Sequence, residues 1–181
     1  MTNEPDDNTL VQGCLGGDEH AFEILVLRYQ GPIYNAVLRM VHDREDASDL
    51  TQSAFLKAYR QLSRFDPRYK FFSWLYRIAI NESLNHVKRQ SRQEPLEDDC
   101  ASSDRDPENR LVGSEVSRYV QVALMKIGAD YRAVLVLRHF HDLSYEEMAT
   151  VLGIPEKKVK SRLFSARRQL KELLEAKGLL P

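Results

Sequence analysis

Cysteine, glycine, proline and long apolar runs are all scarce in this sequence. It contains two cysteines, eight glycines and seven prolines. Because Cys14 and Cys100 lie far apart, a disulfide framework is not expected. The longest apolar runs reach only about five residues, too short to cross a bilayer, and the N-terminal stretch MTNEPDDNTL lacks the apolar core of a secretory signal. We therefore expect a cytoplasmic protein without membrane insertion.

Charge is strongly segregated along the chain, although the net charge is only −1. Residues 60–92 carry eight Lys or Arg against two Asp or Glu, and residues 156–181 carry eight against three. Residues 1–59 and 93–110 are acidic, with net charges of −6 and −5. Two basic blocks in a nearly neutral chain predict two places of contact with a polyanion.

Apolar residues recur at spacings of three and four nearly everywhere, which is the period of amphipathic helices. We predict an all-α fold with two small helical domains, at residues 8–92 and 111–178. Between them, QEPLEDDCASSDRDPENR (93–110) is polar and acidic and contains two prolines. This composition is typical of a flexible linker. Within the first domain, Gly31-Pro32 predicts a kink or a break in a long helix.

The stretch KFFSWLYRIAINESLNHVKR (70–89) predicts a helix with two unlike faces. One face is apolar and consists of Phe72, Tyr76, Ala79, Ile80, Leu84 and Val87. The opposite face carries Trp74, Arg77, Asn81, Asn85 and Lys88. Asn and Arg can read base edges, and an aromatic ring can stack on an unpaired base. An ordinary solvated face remains the alternative from these residues alone.

The stretch LSYEEMATVLGIPEKKVKSRLFSARRQL (143–170) predicts a helix-turn-helix. Ser144 and Glu147 have the spacing of a capping box, Gly153 suits the turn, and Pro155 suits the first position of the next helix. One face of that second helix carries Lys157, Lys160, Ser161, Phe164, Arg168 and Lys171. DNA is the favoured partner of this face, and a basic amphipathic helix with another partner is the alternative.

These two stretches, preceded by DREDASDLTQSAFLKAYR (43–60), resemble bacterial sigma factors of the extracytoplasmic-function group, which keep only the second and fourth sigma domains. The resemblance implies a dissociable subunit that binds core RNA polymerase, directs it to promoters and helps to open the DNA. It also implies control by an anti-sigma factor. The polymerase would perform the chemistry, so no catalytic residue, cofactor or small-molecule substrate is predicted.

The resemblance also implies roles for individual residues. The β′ clamp helices of the polymerase would contact Asp46, Asp49, Leu50, Gln52 and Phe55. The resemblance implies that the β subunit of the polymerase also binds the chain. The promoter −10 element would be captured by Arg64, Phe65, Arg68, Tyr69, Lys70, Phe71, Trp74, Arg77, Asn81, Asn85 and Lys88. The −35 element would be read by Lys157, Lys160, Ser161, Phe164, Ser165 and Arg168. A plain core helix with acidic residues near its N-terminus explains Asp46 and Asp49 nearly as well.

Several alternatives stay open at this point. The acidic linker could mimic RNA near the polymerase centre, as the resemblance implies, or serve only as a spacer. The family usually has the residues Leu-Pro at the start of the helix that precedes the helix-turn-helix, where this chain has KIGADYR (126–132). The exact start of that helix is therefore left open. A two-domain regulator with an effector pocket would leave the basic, aromatic block 64–89 unexplained. The dipeptides His42-Asp43 and His141-Asp142 suggest a metal phosphohydrolase, but such a site needs more ligands, so no metal is predicted.

Overall fold

The computed structural model of this chain describes residues 5–93 and 115–179. Helices occupy most of these two ranges, which contain no strand, and the all-α prediction is confirmed. A short 3-10 turn at Leu62–Arg64 and a π-helical turn at Val136–Phe140 complete the secondary structure. The helices are α1 (Asp7–Leu15), α2 (Glu19–Val41), α3 (Arg44–Arg60), α4 (Phe71–Gln93), α5 (Glu115–Lys126), α6 (Ala129–Leu135), α7 (Tyr145–Leu152) and α8 (Glu156–Glu175).

Acidic and hydroxyl side chains cap the N-termini of α1, α2, α3 and α7, where backbone N–H groups lack partners within the helix. The carboxylate of Asp43 accepts a hydrogen bond from the N–H of Asp46 at the start of α3, at 2.9 Å. Ser144 and Glu147 form the predicted capping box of α7, with reciprocal bonds of 3.2 and 2.9 Å. These local contacts explain why α3 and α7 begin where they do.

Helix α2 passes through Pro32 without a break. Of the predicted kink or break at Gly31-Pro32, the break is therefore wrong and the kink stays a prediction. Both residues are exposed, while the face that follows is fully buried at Ile33, Ala36, Val37 and Met40. A proline inside a helix costs about 3 kcal/mol. Burial of one large apolar side chain contributes about 1.5–3 kcal/mol. Core packing of this face therefore outweighs the missing hydrogen bond.

Helices α1–α4 form the N-terminal body, in which α4 buries the predicted apolar face. Tyr76, Ala79, Ile80 and Leu84 are buried, and Phe72 and Val87 are partly buried against the same core. Helices α5–α8 form the C-terminal body, in which α8 buries Val159, Leu163 and Ala166. Gly153 ends α7 in the left-handed conformation, with φ of 62°, as the predicted turn requires. Pro155 directly precedes α8 instead of opening it.

The two bodies pack on each other, mainly through α4 and α7. Their buried apolar side chains form one continuous cluster. Residues 94–114, which include nearly all of the predicted linker, lie outside the described ranges, so the flexible linker stays a prediction. Helical periodicity in the sequence did not predict this direct contact between the bodies.

Candidate nucleic-acid interface

The outer face of α4 presents the predicted polar residues to solvent. Arg77, Asn81, Asn85 and Lys88 are all exposed or partly exposed, one to two turns apart along the helix. Because the opposite face is buried, this side of α4 cannot serve as core. The predicted division of α4 into two faces is confirmed, and the role of the polar face in binding the −10 element stays a prediction.

The aromatic residues near the start of α4 have two different environments. Phe65 and Phe71 are buried, although they were expected to contact DNA. Their rings lie 5.7 Å apart, and each is within about 6 Å of the partly buried Trp74 ring, at 5.5 and 5.7 Å. Only Tyr69 is largely exposed among these four rings. Phe65 and Phe71 therefore anchor the loop, and Tyr69 is the ring of this group that is most open to a partner.

The basic side chains of the loop between α3 and α4 are also not equivalent. Arg68 is held by Asp66 through hydrogen bonds of 2.6–3.0 Å, and this bond lowers the pKa of the Asp66 carboxyl. Lys70 pairs with Glu147 of the C-terminal body at 2.7 Å. Arg64 is exposed at the end of the 3-10 turn. Arg68 and Lys70 have acidic partners but remain largely exposed, with 83% and 74% of the side chain accessible, so all three cations of the loop are open to a partner.

Helix α8 presents its cationic face to solvent over its first four turns. Lys157, Lys160, Ser161, Phe164 and Arg168 are exposed, and Ser165 is partly exposed. Phe164 is 71% exposed, which is unusual for a large apolar side chain. The predicted face is therefore available to a partner.

The Lys160 side chain is oriented by its neighbours on α7 and α8. Its ammonium lies 2.6 Å from a carboxylate oxygen of Glu156 and 5.2 Å from the ring centroid of Tyr145. The hydrogen bond with Glu156 raises the pKa of Lys160. Lys160 is thus a charged group held between the first residue of α7 and the first residue of α8.

Helix α3 presents a different stripe from the one predicted for polymerase binding. Asp49 and Gln52 are exposed or partly exposed and Asp46 is partly exposed, but Leu50 and Phe55 lie in the core, with 9% and 7% exposure. Two apolar residues that the motif did not point to are exposed instead: Leu56 (58%) and Tyr59 (49%). They lie four and seven positions after Gln52, on the same face of the helix. That spacing was the signal that could have identified them.

The two His-Asp dipeptides are helix boundaries. His42 ends α2 in the left-handed conformation with φ of 59°, and Asp43 caps α3. Asp142 also adopts a left-handed conformation, with φ of 52°, in the turn before α7. Within the described residues, no group of three or more His, Cys, Asp or Glu side chains could hold a metal ion. Nor does any described helix have the length and apolarity needed to cross a membrane.

Comparison with known proteins decides the family. The family description Sigma-70 region 2 matches residues 25–93, and Sigma-70, region 4 matches residues 117–170. The RNA polymerase sigma-H factor of Pseudomonas aeruginosa is 38% identical over 97% of both chains. The ECF RNA polymerase sigma-E factor of Haemophilus influenzae is 34% identical over 97% of this chain and 98% of that one. The chain belongs to the extracytoplasmic-function group of RNA polymerase sigma factors.

The fold of this sigma factor also matches a solved relative. The sigma factor RpoE of Bartonella quintana, in a complex with the anti-sigma factor NepR, superposes with a TM-score of 0.71. That structure is 25% identical and covers 85% of this chain and 96% of its own. Sigma factors direct RNA polymerase to promoters and are initiation factors rather than catalysts. The resemblance found in the sequence motifs is confirmed.

Proposed function

We propose that this sigma factor reads its promoter with two separate faces. The exposed side of α4, with Tyr69 and Arg64 before it, would capture the −10 element, and the exposed side of α8 would read the −35 element. The observation that carries the proposal is shared by both helices: each buries one apolar face and turns outward a face of basic and polar side chains. A large exposed ring accompanies each face, Tyr69 just before α4 and Phe164 on α8.

At the −10 element, the proposed task of α4 is to hold bases that have left the duplex. Unstacking a base costs a few kcal/mol. Stacking on an aromatic side chain returns about 1–3 kcal/mol per base, which Tyr69 and the edge of Trp74 can supply. Asn81 and Asn85 can then hydrogen-bond to base edges, while Arg77 and Lys88 neutralise phosphates. Opening would thus be driven by binding energy.

At the −35 element, α8 would enter the major groove with its exposed face. Lys160 and Lys157 are close to the start of the helix, where recognition helices contact base edges and phosphates. Phe164 lies one turn further along and can contact thymine methyl groups. Arg168 lies on the same side, at the distance of another turn, and can contact phosphate. The side chains at these positions set the preferred −35 sequence.

For polymerase binding, we propose the stripe formed by Asp49, Gln52, Leu56 and Tyr59 on α3. Its polar members are the exposed part of the predicted motif, and its apolar members supply surface that a docking partner would bury. Leu50 and Phe55 support this stripe from the core. We also propose that an anti-sigma factor controls this chain, since a solved relative is bound to one.

Run-off transcription with purified core polymerase tests the proposed function. Core polymerase alone and core polymerase with this chain are compared on genomic promoter fragments. We expect promoter-specific transcripts only with the chain present. They should be lost in the double variant Arg77→Ala/Asn81→Ala and retained in a matched double variant on α2 and α5, Asn35→Ala/Arg118→Ala. Equal transcription by both double variants would contradict the proposed −10 face.

A further inference from the structure

The carboxylate of Asp46, near the start of α3, contacts the second half of α4. Its oxygen Oδ2 lies 3.0 Å from Nε2 of His86 and accepts a hydrogen bond of 3.5 Å from the side-chain amide of Gln90. Because a carboxylate only accepts hydrogen bonds, Nε2 is the ring nitrogen of His86 that carries the proton in this contact. The side chains of His86 and Asp46 are partly buried, with 22% and 33% exposure. One acid of α3 thus holds two residues of α4.

A second polar contact joins the same flanks of the two helices. The ammonium of Lys57 on α3 lies 2.6 Å from a carboxylate oxygen of Glu82 on α4. Glu82, His86 and Gln90 follow one another at the spacing of one helical turn, so they form a single row along α4. Asp46 and Lys57 are about three turns apart on one side of α3. Polar contacts therefore follow the line along which α3 and α4 meet.

The stripe of α3 proposed for polymerase binding lies on another side of that helix. At about 100° per residue, Asp49 and Gln52 are rotated from Asp46 by about 60° and 120°, away from α4. Both of these side chains are exposed, whereas Asp46 is partly buried. Asp46 belongs to the same sequence motif, but its carboxylate is engaged within the protein.

The apolar anchors of α4 end close to the Asp46 contact. Leu84 is buried, and Val87 is partly buried against the core. From residue 88 to residue 92 every side chain is exposed. Since tertiary packing supplies most of the stability of a helix in a protein, these last turns are the least constrained described part of α4. Asp46 is placed where a polar contact can fix their direction.

Two residues of the proposed −10 face lie at this end of α4. Asn85 directly precedes His86, and Lys88 comes two positions after it, and both are exposed. A rotation of the last turns would move these two side chains relative to Arg77 and Asn81, which lie where the core holds the helix. Hydrogen bonds to base edges need donor–acceptor distances of about 2.7–3.2 Å, so a shift of about 1 Å removes them.

We infer that Asp46 is a positioning residue for the −10 face, which it serves through His86 and Gln90 rather than by contacting the polymerase. The inference rests on the proposed function of α4. The carboxylate fixes the direction of the last turns of the helix, and with it the places of Asn85 and Lys88 along the DNA strand. The first acid of the predicted polymerase motif therefore serves the DNA site.

Asp46→Ala in the full chain tests the inference with two separate measurements. One is the affinity of the variant for core polymerase, and the other is the affinity of the assembled holoenzyme for a single-stranded −10 oligonucleotide. We expect oligonucleotide affinity to fall about fivefold, as for the loss of one hydrogen bond, while polymerase affinity stays within about twofold. The matched control is Glu45→Ala, which removes a carboxylate from the same first turn of α3 at an exposed position and should change neither affinity.

Two further variants show whether Asp46 acts through His86. Asparagine keeps an oxygen that accepts the bond from Nε2–H, so Asp46→Asn should bind the oligonucleotide within about twofold of the wild type. His86→Ala should lose about as much affinity as Asp46→Ala. The double variant Asp46→Ala/His86→Ala should lose less than the product of the two single effects, because both substitutions remove the same contact.

The inference is overturned if Asp46→Ala leaves oligonucleotide affinity unchanged or lowers polymerase affinity as much. Independent effects in the double variant, or equal losses in Asp46→Asn and Asp46→Ala, would overturn it as well. If circular dichroism shows that Asp46→Ala does not fold, His86→Ala decides by the same two affinities. Failure of the proposed −10 face is seen separately, because Asn85→Ala/Lys88→Ala would then leave oligonucleotide affinity unchanged.

Discussion

The guanidinium of Arg132, in the C-terminal body, donates a hydrogen bond to the main-chain carbonyl of Met40, in the N-terminal body. The same guanidinium donates to carbonyls at the end of α5: Leu124 (2.9 Å), Met125 (3.0 Å) and Ile127 (3.2 Å). Two helix C-termini, each with partial negative charge, thus share one buried cation. Burial lowers the pKa of Arg132 to about 10, so the group remains charged at neutral pH.

Arg132→Lys should destabilise the chain although it keeps the charge. An ammonium group has three donors on one atom and cannot cover carbonyls at two helix ends as the planar guanidinium does. We expect the free energy of unfolding to fall by about 2–3 kcal/mol, which corresponds to a melting temperature lower by about 5–10 °C. Thermal unfolding at pH 7, followed by circular dichroism, measures the change.

Arg118→Lys is the matched control for this substitution, since Arg118 is exposed on α5. It should change the melting temperature by less than about 2 °C. If both substitutions gave the same melting temperature as the wild type, the Arg132 bonds would have no energetic importance. The role given to this side chain in joining the bodies would then be wrong.

The helices and the two-faced pattern of α4 could be predicted because they depend on local properties of the sequence. The period of apolar residues places Tyr76 and Ile80 in the core and Arg77 and Asn81 outside. The capping box at Ser144 depends only on residues three positions apart. Such features need no knowledge of which other helix is nearby.

The remaining features depend on tertiary packing. Phe65 and Phe71 have the composition of a stacking loop, and only the position of the Trp74 ring shows that they fill space in the core. Pro32 predicts a helix break from the local sequence, and only the burial of the turns that follow it explains why the helix continues. The contact between Tyr76 and His141 joins residues 65 positions apart. No short-range pattern in the sequence carries that information.

Asn81→Ala should impair promoter opening more than the initial binding of promoter DNA. The variant removes a base-edge hydrogen-bonding group from an exposed helical position, where alanine also has a higher helix propensity. We expect a loss of about 1–3 kcal/mol in the stability of the open complex, as for one good base contact. Permanganate reactivity of the −10 thymines in the holoenzyme complex measures opening, and gel shift measures total binding.

Asn35→Ala is the control for this prediction, because it makes the same change at an exposed position of α2. It should leave opening and binding unchanged. Equal losses of permanganate reactivity and of total binding in Asn81→Ala would indicate that Asn81 contributes to general DNA affinity. Normal reactivity would remove Asn81 from the proposed −10 face.

Phe164→Ala should weaken −35 binding without lowering stability. The ring is 71% exposed, so its removal creates no cavity in the core. If Phe164 contacts thymine methyl groups, its loss should reduce affinity for −35 duplex about fivefold or more, a cost of about 1 kcal/mol at the low end for a base contact. Leu27→Ala is a closely matched control, because Leu27 is 70% exposed on α2. Titration of −35 duplex, followed by fluorescence anisotropy, measures the affinity of both variants. Equal affinities would mean that Phe164 is an exposed apolar residue without a role in DNA binding.

Acidification should separate the two bodies, whose packed arrangement we call the closed form, through His141. Burial, together with the nearby charge of Arg39, lowers the pKa of His141 from 6.5 to about 4, while Asp142 acts weakly in the opposite direction. Tyr76 faces the ring from α4. When the bodies separate, the imidazole meets water and its pKa returns towards 6.5. The open form therefore binds the proton more readily, and the closed form is fully favoured only above about pH 6.5.

The sign of this linkage gives a defined experiment. As the pH falls from 7.5 to 5.5, the ratio of open to closed molecules should rise by about tenfold at most. Fluorescence transfer between dyes at the exposed positions Ser53→Cys and Lys177→Cys, after replacement of Cys14 and Cys100 by alanine, reports the ratio at constant ionic strength. His141→Asn should abolish the pH response, because the amide does not titrate in this range. His139→Asn should preserve it, since the hydrogen bond of that residue is with Arg167 of its own body. A response that persists in His141→Asn would mean that another group titrates at the interface, and His141 would then serve the closed form by packing alone.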